Sequence, residues 1–270
     1  MSIRGLFLLL AASCAVLTAS ASVVHCEAAW GEEVRGEVRG EEVLVAVATN
    51  FNSVAQQLER EFEASRNFEL TLVSGSTGKL YAQIVNGAPF HVLLAADQRR
   101  PARLVAEGLA MADTLRTYAI GRLVLWSHDP EGVAFDGRKT LREARFRRLA
   151  IANPDLAPYG VASIEVLKAL EVDELISDRL VMGENIGQTY ALIATGNAEL
   201  GFVAASQQAG PDAIRSGSGW LVPEELHEPI RQDVVLLRSG VESSGARAFL
   251  DYLASPPAKD LIRSFGYGVD

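Results

Sequence analysis

At 270 residues, the chain is long enough for one large domain or two lobes with a substantial hydrophobic core. Hydrophobic residues make up 49% of it and charged residues 22%, which is an ordinary globular composition and excludes a largely disordered chain. The net charge of −9 argues against a nucleic-acid partner, because phosphate binding requires clustered cations. The densest basic cluster, at Arg142, Arg145, Arg147 and Arg148, is interpreted as a solvated helix face.

The N-terminal residues have the pattern of an export signal. Arg4 precedes an apolar run, GLFLLLAASCAVLTASA, which is short for a membrane-spanning helix. The small residues Ala19-Ser20-Ala21 predict cleavage after residue 21, and Cys26-Glu27-Ala28 offers a second site after residue 28. We therefore expect a cleaved signal peptide at residues 1–21 and a periplasmic protein.

The only two cysteines lie in or near this segment. Because Cys14 and Cys26 are both close to the N-terminus, we expect no disulfide and no thiol chemistry in the folded body. A lipid-modified Cys14 is disfavoured, since the leucine usual three residues before such a cysteine is missing. The charged near-repeat GEEVRGEVRGEE has little to bury, so residues 22–42 are predicted to form a flexible tether.

Strands and helices alternate from Val43 onward. The first strand, VLVAVA, lacks polar alternation, as expected when both faces of a sheet are covered. The helix after it carries an apolar stripe that includes Phe51, Leu58 and Phe62. The next predicted elements are a strand at 68–73, a helix at 76–87, a strand at 91–96 and a helix at 101–108.

A long strand at 117–127 is predicted to carry the chain out of this first unit. The second unit and the C-terminal part are predicted as a strand at 148–152, helices near 161–170 and 187–194, a strand at 200–205, a return strand at 230–238 and helices broken at Pro256-Pro257. Alternating β and α elements imply mainly parallel sheets, and two such units with two crossing segments imply a bilobed α/β protein with a cleft. We expect lobe 1 at 43–119 and 230–270, and lobe 2 at 120–229.

Four predicted strand-to-helix junctions are neutral. They are Thr49-Asn50-Phe51-Asn52, VSGSTGK, NPDLAPYGVAS and MGENIGQTY. Each alone is read as an ordinary helix cap. Together they indicate an anion site, because a helix N-terminus presents free N–H groups and partial positive charge. Thr49, Asn50, Ser76 and Thr77 would add donors.

The motifs of several enzyme classes are excluded. SGSTGKL lacks the first glycine and the final hydroxyl residue of a nucleotide P-loop, and Ser74 replaces the first glycine of a nucleophile elbow. The four histidines are scattered without metal-ligand spacing, and no paired carboxylates lie near the junctions. We therefore expect neither an enzyme nor a metal site.

The motifs together resemble the molybdate-binding proteins of bacterial ABC importers, in particular a branch with a Thr-Asn pair at the first junction. The resemblance runs from about Val43 to the C-terminus, in VAVATNF, SGSTGKLYAQIVNGAPF, LLAADQRRPARLV, ANPDLAPYG, GENIGQTYALIATGNAELGFV and SPPAKDLIRSFGY. It implies a type II periplasmic-binding fold that closes over molybdate or tungstate without a countercharge or a cofactor. It also implies delivery to a membrane permease, and we expect a monomer.

The resemblance also implies which residues hold the anion. Thr49 and Asn50 match the first ligand segment of the family. Ser76 matches the second, and Thr77 is a close rival because the spacing is ambiguous by one residue. Tyr159 matches the third through its side chain or its backbone, and Ile186 matches the fourth through its backbone amide.

The chain departs from the family pattern at two positions. Ala204 stands where another branch has a tyrosine, and the hydroxyl of Tyr159 is one candidate to replace it. His91 stands where the family often has Asp. We expect this difference to affect the start of the predicted strand at 91–96 and not the ligand. Asp97 matches a recurrent acid, which we interpret as a helix N-cap, since a carboxylate would repel a dianion.

Two alternative functions stay open at this point. A binder of organic acids on the same fold would need an arginine clamp. The four junctions lack one, and Lys79 is expected to point to solvent. An exported hydrolase would use Ser76 as nucleophile and would need a base such as His91 within hydrogen-bond reach.

Overall fold

The computed structural model describes residues 40–209 and 217–269. The predicted signal peptide, both cysteines and the predicted tether up to residue 39 lie outside these residues. The tether prediction is wrong for its last two residues, since the first strand begins at Glu41. Glu41 and Glu42 pair with Phe68 and Glu69 of the neighbouring strand. The Glu41 carboxylate also accepts hydrogen bonds from Ser243 and Ser244 at 2.5 and 2.6 Å.

Two five-stranded sheets form the framework. The first has the order β2-β1-β3-β10-β4 and the second the order β7-β6-β8-β5-β9. The strands are β1 Glu41–Ala48, β2 Phe68–Gly75, β3 Val92–Leu94, β4 Arg116–Gly121, β5 Leu123–Ser127, β6 Leu149–Ala152, β7 Leu180–Gly183, β8 Leu200–Ala204, β9 Ser218–Leu221 and β10 Ile230–Leu236.

Both sheets are mixed rather than mainly parallel. In the first, β1 pairs in parallel with β2 and β3, whereas β10 is antiparallel to β3 and β4. In the second, β6 pairs in parallel with β7 and β8, whereas β5 is antiparallel to β8 and β9. The antiparallel pairs involve the two strands by which the chain changes sheets. Strand β5 enters the second sheet from the first, and β10 enters the first sheet from the second.

Helices cover both sheets, as the alternating pattern predicts. They are α1 Asn52–Ala64, α2 Thr77–Val85, α3 Arg99–Ala106, α4 Gly137–Glu143, α5 Pro158–Ala169, α6 Asp173–Ile176, α7 Ile186–Ala194, α8 Ser244–Leu253 and α9 Pro256–Ser264. Short 3₁₀ turns at Thr49–Phe51 and Ala205–Gln208 matter for the site. None of the helices in the described parts of the chain is long and apolar enough to cross a membrane.

The predicted long strand at 117–127 is two strands, because its residues pair in different sheets. β4 ends at Gly121 against β10, and β5 begins at Leu123 against β8. Residues 40–121 and 230–269 are called the first half below, and the described residues from 123 to 229 the second half. The predicted lobe limits at 119/120 and 229/230 stay a prediction.

Each half has its own apolar core. In the first half, β1 contributes Val43, Val45 and Val47, which pack with Phe51 and Phe62 of the following segment. Helices α8 and α9 contribute to the same core. In the second half, the core contains β6 and buried residues of α5. The rigid halves therefore hold their helix starts in fixed positions.

Helix α5 ends in a left-handed residue that is not glycine. Glu171 has φ of 58°, and its N–H donates to the Lys168 carbonyl at 2.9 Å while Val172 N–H donates to Leu167 O at 3.0 Å. This is a Schellman motif, whose left-handed position normally holds glycine. A side chain in that conformation costs about 1–2 kcal/mol.

Glu171→Gly should therefore stabilise the protein by about 1 kcal/mol, because it relieves the left-handed strain at an exposed position. Urea denaturation followed by circular dichroism measures the change. Glu171→Ala is the matched control, since it removes the same side chain and charge but keeps a Cβ. Equal stability of the two variants would contradict the strain argument.

Candidate functional site

All four predicted junctions meet at one pocket between the halves. Each begins at the carboxyl end of a parallel strand: β1, β2, β6 or β7. All six predicted site residues line this pocket, whose twelve lining residues are Ala48, Thr49, Asn50, Gly75, Ser76, Thr77, Ala96, Ala157, Pro158, Tyr159, Asn185 and Ile186. The cavity volume is about 10 Å³, so the halves are closed on one another. Larger cavities of about 610 and 280 Å³ lie elsewhere, and charged side chains line both.

Ser76 presents an unpaired hydroxyl at the start of α2. It is the N-cap residue, it is 3% exposed, and its side chain makes no capping bond. Its Oγ is buried and has no hydrogen-bond partner among the described residues. Buried polar groups are almost always paired, and an unpaired one costs free energy. This hydroxyl is therefore available to a ligand.

Thr77 differs from Ser76 in this respect. Its Oγ1 accepts a hydrogen bond from the Ala96 backbone N–H at 3.0 Å. The hydroxyl thus fastens the start of α2 to the segment after β3. The Thr77 backbone N–H belongs to the first helical turn, where no intrahelical acceptor exists.

Thr49 and Asn50 form the 3₁₀ turn after β1. The Thr49 hydroxyl is 3.5 Å from Ser74 Oγ, a long contact that leaves it accessible to other partners. Across the interface, a Cβ at Gly187 would lie 2.6 Å from Thr49 Cγ2. Glycine at position 187 is therefore what allows the start of α7 to approach this turn so closely.

The side chain of Asn50 is occupied, contrary to the expectation that it donates into the site. Its Nδ2 donates to Gln232 Oε1 at 2.9 Å and to the Tyr267 hydroxyl at 3.0 Å. The backbone carbonyl oxygen of Asn50 accepts from Ser206 Oγ at 2.9 Å and from the Tyr267 hydroxyl at 2.8 Å. What Asn50 presents to the pocket is a first-turn backbone amide.

Tyr159 also directs its hydroxyl away from a ligand role. It lies in the first turn of α5 and is 1% exposed. Its hydroxyl accepts from Gln232 Nε2 at 3.2 Å, and a Cβ at Gly121 would lie 2.2 Å from that oxygen. The phenol thus belongs to the polar network behind the pocket, and its replacement of the tyrosine absent at Ala204 stays a prediction. The Tyr159 backbone N–H is a first-turn amide at the pocket.

Ile186 begins α7, as expected for a residue that acts through its backbone. The N-cap residue Asn185 accepts a hydrogen bond from Gln188 N–H at 2.9 Å through its side chain. The Ile186 N–H lies ahead of that capped position and has no intrahelical acceptor. Gln207 Nε2 donates to the Ile186 carbonyl at 3.1 Å and anchors this turn to the second sheet.

A buried polar network behind the pocket joins the halves, and its members Gln232, Tyr118, Ser206 and Tyr267 were missed in the sequence. Gln232 is fully buried at an irregularity in β10 and bonds Asn50, Tyr118 and Tyr159. Tyr267 donates to the Asn50 carbonyl and contacts Ser206 Oγ at 3.0 Å. The motif SFGY contains Tyr267, but nothing local in the sequence connects it with a turn 217 residues away.

The pocket is electrically neutral. Tyr159 is the only lining residue with an ionisable side chain. Burial raises the pKa of Tyr159 and of Tyr118 well above the usual value, and raises that of Tyr267 to about 12. These phenols therefore stay protonated at physiological pH. The described ranges contain no cluster of three or more His, Cys, Asp or Glu that could hold a metal ion.

The groups required by the two alternative functions are engaged elsewhere. His91 Nδ1 accepts from Leu44 N–H at 3.3 Å, near the amino end of β3 and away from Ser76. Lys79, expected to point to solvent, pairs with Glu184 at 2.5 Å. The buried Arg100 beside the second junction is bonded to Asp97 and to the Asp155 carbonyl. Asp97 accepts from Arg100 N–H at 2.9 Å, the type of contact expected of a helix cap.

Comparison with known proteins identifies the family of the chain. The family model of bacterial extracellular solute-binding proteins matches residues 43–268. The molybdate-binding protein ModA of Azotobacter vinelandii is 46% identical over 84% of this chain and 90% of its own length. That of Rhodobacter capsulatus is 45% identical over 84% and 88%.

A solved structure extends the likeness to three dimensions. The Azotobacter vinelandii periplasmic molybdate-binding protein superposes with a TM-score of 0.81 and 38% identity, covering 84% of this chain and 99% of that one. The predicted bilobed binding-protein fold is thereby confirmed. The chain belongs to the family of bacterial extracellular solute-binding proteins.

Proposed function

We propose that this protein binds molybdate, with tungstate as a second ligand, and delivers it to the membrane permease of an ABC importer. The observation that carries the proposal is the buried, unpaired Ser76 hydroxyl in a pocket formed by four neutral helix starts. The 46% identity to a molybdate-binding relative supports the choice of anion. The apolar N-terminal segment supports a periplasmic protein with a cleaved signal peptide, and we expect that protein to be a monomer.

The proposed ligands are neutral donors. They are the hydroxyls of Thr49 and Ser76 and the backbone amides of Asn50, Tyr159 and Ile186, all from residues that line the pocket. Each amide lies in a first helical turn, where the helix dipole favours a negative charge. A dianion can be held by such groups without a countercharge, whereas a protonated anion would need an acceptor, which the backbone amides do not provide.

Capture and release would proceed without covalent chemistry. The cavity of about 10 Å³ has room for roughly one water molecule, so entry of a tetrahedral oxyanion requires the halves to separate. The anion would then bridge the first-half turns at Thr49 and Ser76 and the second-half turns at Tyr159 and Ile186. Closure around it would present the loaded form to the permease.

Calorimetric titration with molybdate, tungstate, sulfate and phosphate tests the proposal. We expect molybdate and tungstate to bind at one site and sulfate to bind far more weakly. Because sulfate is also a tetrahedral dianion, this preference would come from the spacing of the donors. Equal affinity for sulfate would contradict the assignment to molybdate, and binding of no oxyanion would contradict the site.

Ser76→Ala should weaken molybdate binding by about tenfold or more, because a hydrogen bond to a charged group is lost. The same change should leave the ligand-free protein as stable as the wild type or slightly more stable, since it removes an unpaired buried hydroxyl. Titration and urea denaturation measure the two effects.

Ser255→Ala is a matched control for Ser76→Ala. Ser255 is the N-cap of α9 and also has a buried hydroxyl without a partner among the described residues, but it is not among the pocket residues. Its substitution should leave the affinity unchanged. Comparable losses in both variants would show that Ser76 does not act through a ligand contact.

Tyr159→Phe should keep molybdate affinity within about twofold, because the proposed contact is the backbone amide. The change should cost about 1 kcal/mol of stability, since Gln232 Nε2 loses its acceptor. The same titration and denaturation experiments measure both quantities. A large loss of affinity without a matching loss of stability would assign the contact to the hydroxyl.

A further inference from the structure

A buried arginine connects the two halves beside the pocket. Arg100 lies in the first turn of α3, and its side chain is 10% exposed. Its Nη1 donates to Asp97 Oδ2 at 2.5 Å within the first half. Its Nη2 donates to the Asp155 carbonyl of the second half at 2.8 Å.

Asp97 holds the guanidinium in the orientation that this second contact requires. Its other oxygen, Oδ1, accepts from the Arg100 backbone N–H at 2.9 Å, so the carboxylate is anchored to the helix start. A planar guanidinium fixed at one nitrogen presents its other nitrogens in defined directions. The pair is also neutral overall, so it adds no strong electrostatic attraction for an anion.

The contacted loop, residues 153–157, leads directly into α5. Asn153 stabilises it, because its side chain accepts from Asp155 N–H at 2.9 Å and its carbonyl from Ala157 N–H at 2.8 Å. The carbonyl that follows that of Asp155 in the chain belongs to Leu156, and it accepts from Gly78 N–H of α2 at 2.9 Å. Two consecutive carbonyls of this loop are thus bound by the first half.

We infer that Arg100 is a positioning residue for the anion site. Through Asp155 it holds the 153–157 loop, and with it the start of α5 and the Tyr159 amide, against the pocket in the closed state. It thereby slows release of the bound anion. The inference rests on the proposed function, since it concerns the same pocket.

The sequence requirements of this contact are specific. Lysine could pair with Asp97, but its single ammonium lacks the second, divergent nitrogen that reaches Asp155. Gly78 leaves room for the contact, because a Cβ there would lie 3.0 Å from the Leu156 backbone and 3.1 Å from Arg100 Nη2. The contact therefore favours arginine at position 100, and a larger residue at position 78 would require the loop or the guanidinium to shift by a few tenths of an ångström.

The test measures release of radiolabelled molybdate after addition of excess unlabelled anion. Arg100→Lys, which keeps the charge, should release molybdate roughly tenfold faster, with the association rate within about twofold of wild type. Arg99→Lys is the matched control, since Arg99 is the exposed neighbour on the same helix, and it should behave like the wild type.

Gly78→Ala tests the same contact from the other side. Its added methyl group would push against both Leu156 and Arg100, so it should also speed release. The binding stoichiometry separates positioning from a merely structural role. A structural defect would lower the fraction of active protein and leave the release rate of the remainder unchanged.

The experiment distinguishes failure of the proposed function from failure of the inference about Arg100. If the wild type binds no oxyanion, the proposed function fails, and the inference fails with it. If the wild type binds molybdate but Arg100→Lys and Gly78→Ala release it at the wild-type rate, the inference alone is overturned.

Discussion

The structure depends on one constraint: a dianion held without countercharge needs several helix N-termini at one point. A single first-turn amide contributes little, so the donors are gathered from the starts of several helices. Two parallel pairs of strands, β1 with β2 and β6 with β7, direct those helices to the same pocket. The two halves must also face one another, so closure is part of the binding site itself.

The same constraint explains the polar network behind the pocket. Gln232 joins Asn50 of the first half to Tyr159 of the second, and both of these residues line the pocket. Their side chains therefore secure the two turns against each other, and we propose that their backbone amides contact the ligand. Because every described member of this network is buried and uncharged, it orders the interface without altering the charge of the site.

Much of the site could be predicted from short-range patterns. The neutral helix starts are visible because a strand, a small polar residue and an amphipathic helix follow one another within a few positions, as at Ser76 and Ile186. Whether a site residue acts through its side chain or its backbone could not be predicted from these patterns. Asn50 and Tyr159 carry obvious donor side chains, yet these bond Gln232 and Tyr267, which lie more than 70 residues away in the chain.

The sequence by itself determined the alternation of strands and helices, the absence of charge at four junctions and the lack of common enzyme motifs, because these follow from local composition and spacing. The tertiary structure alone decided the two mixed sheets, the split of the predicted long strand near Arg122 and the pairing of Arg100 with the Asp155 carbonyl. These features depend on which distant segments become neighbours. Local periodicity in the sequence carries no information about which distant segments meet. Strand pairing and burial show this, and both are visible only in the tertiary structure.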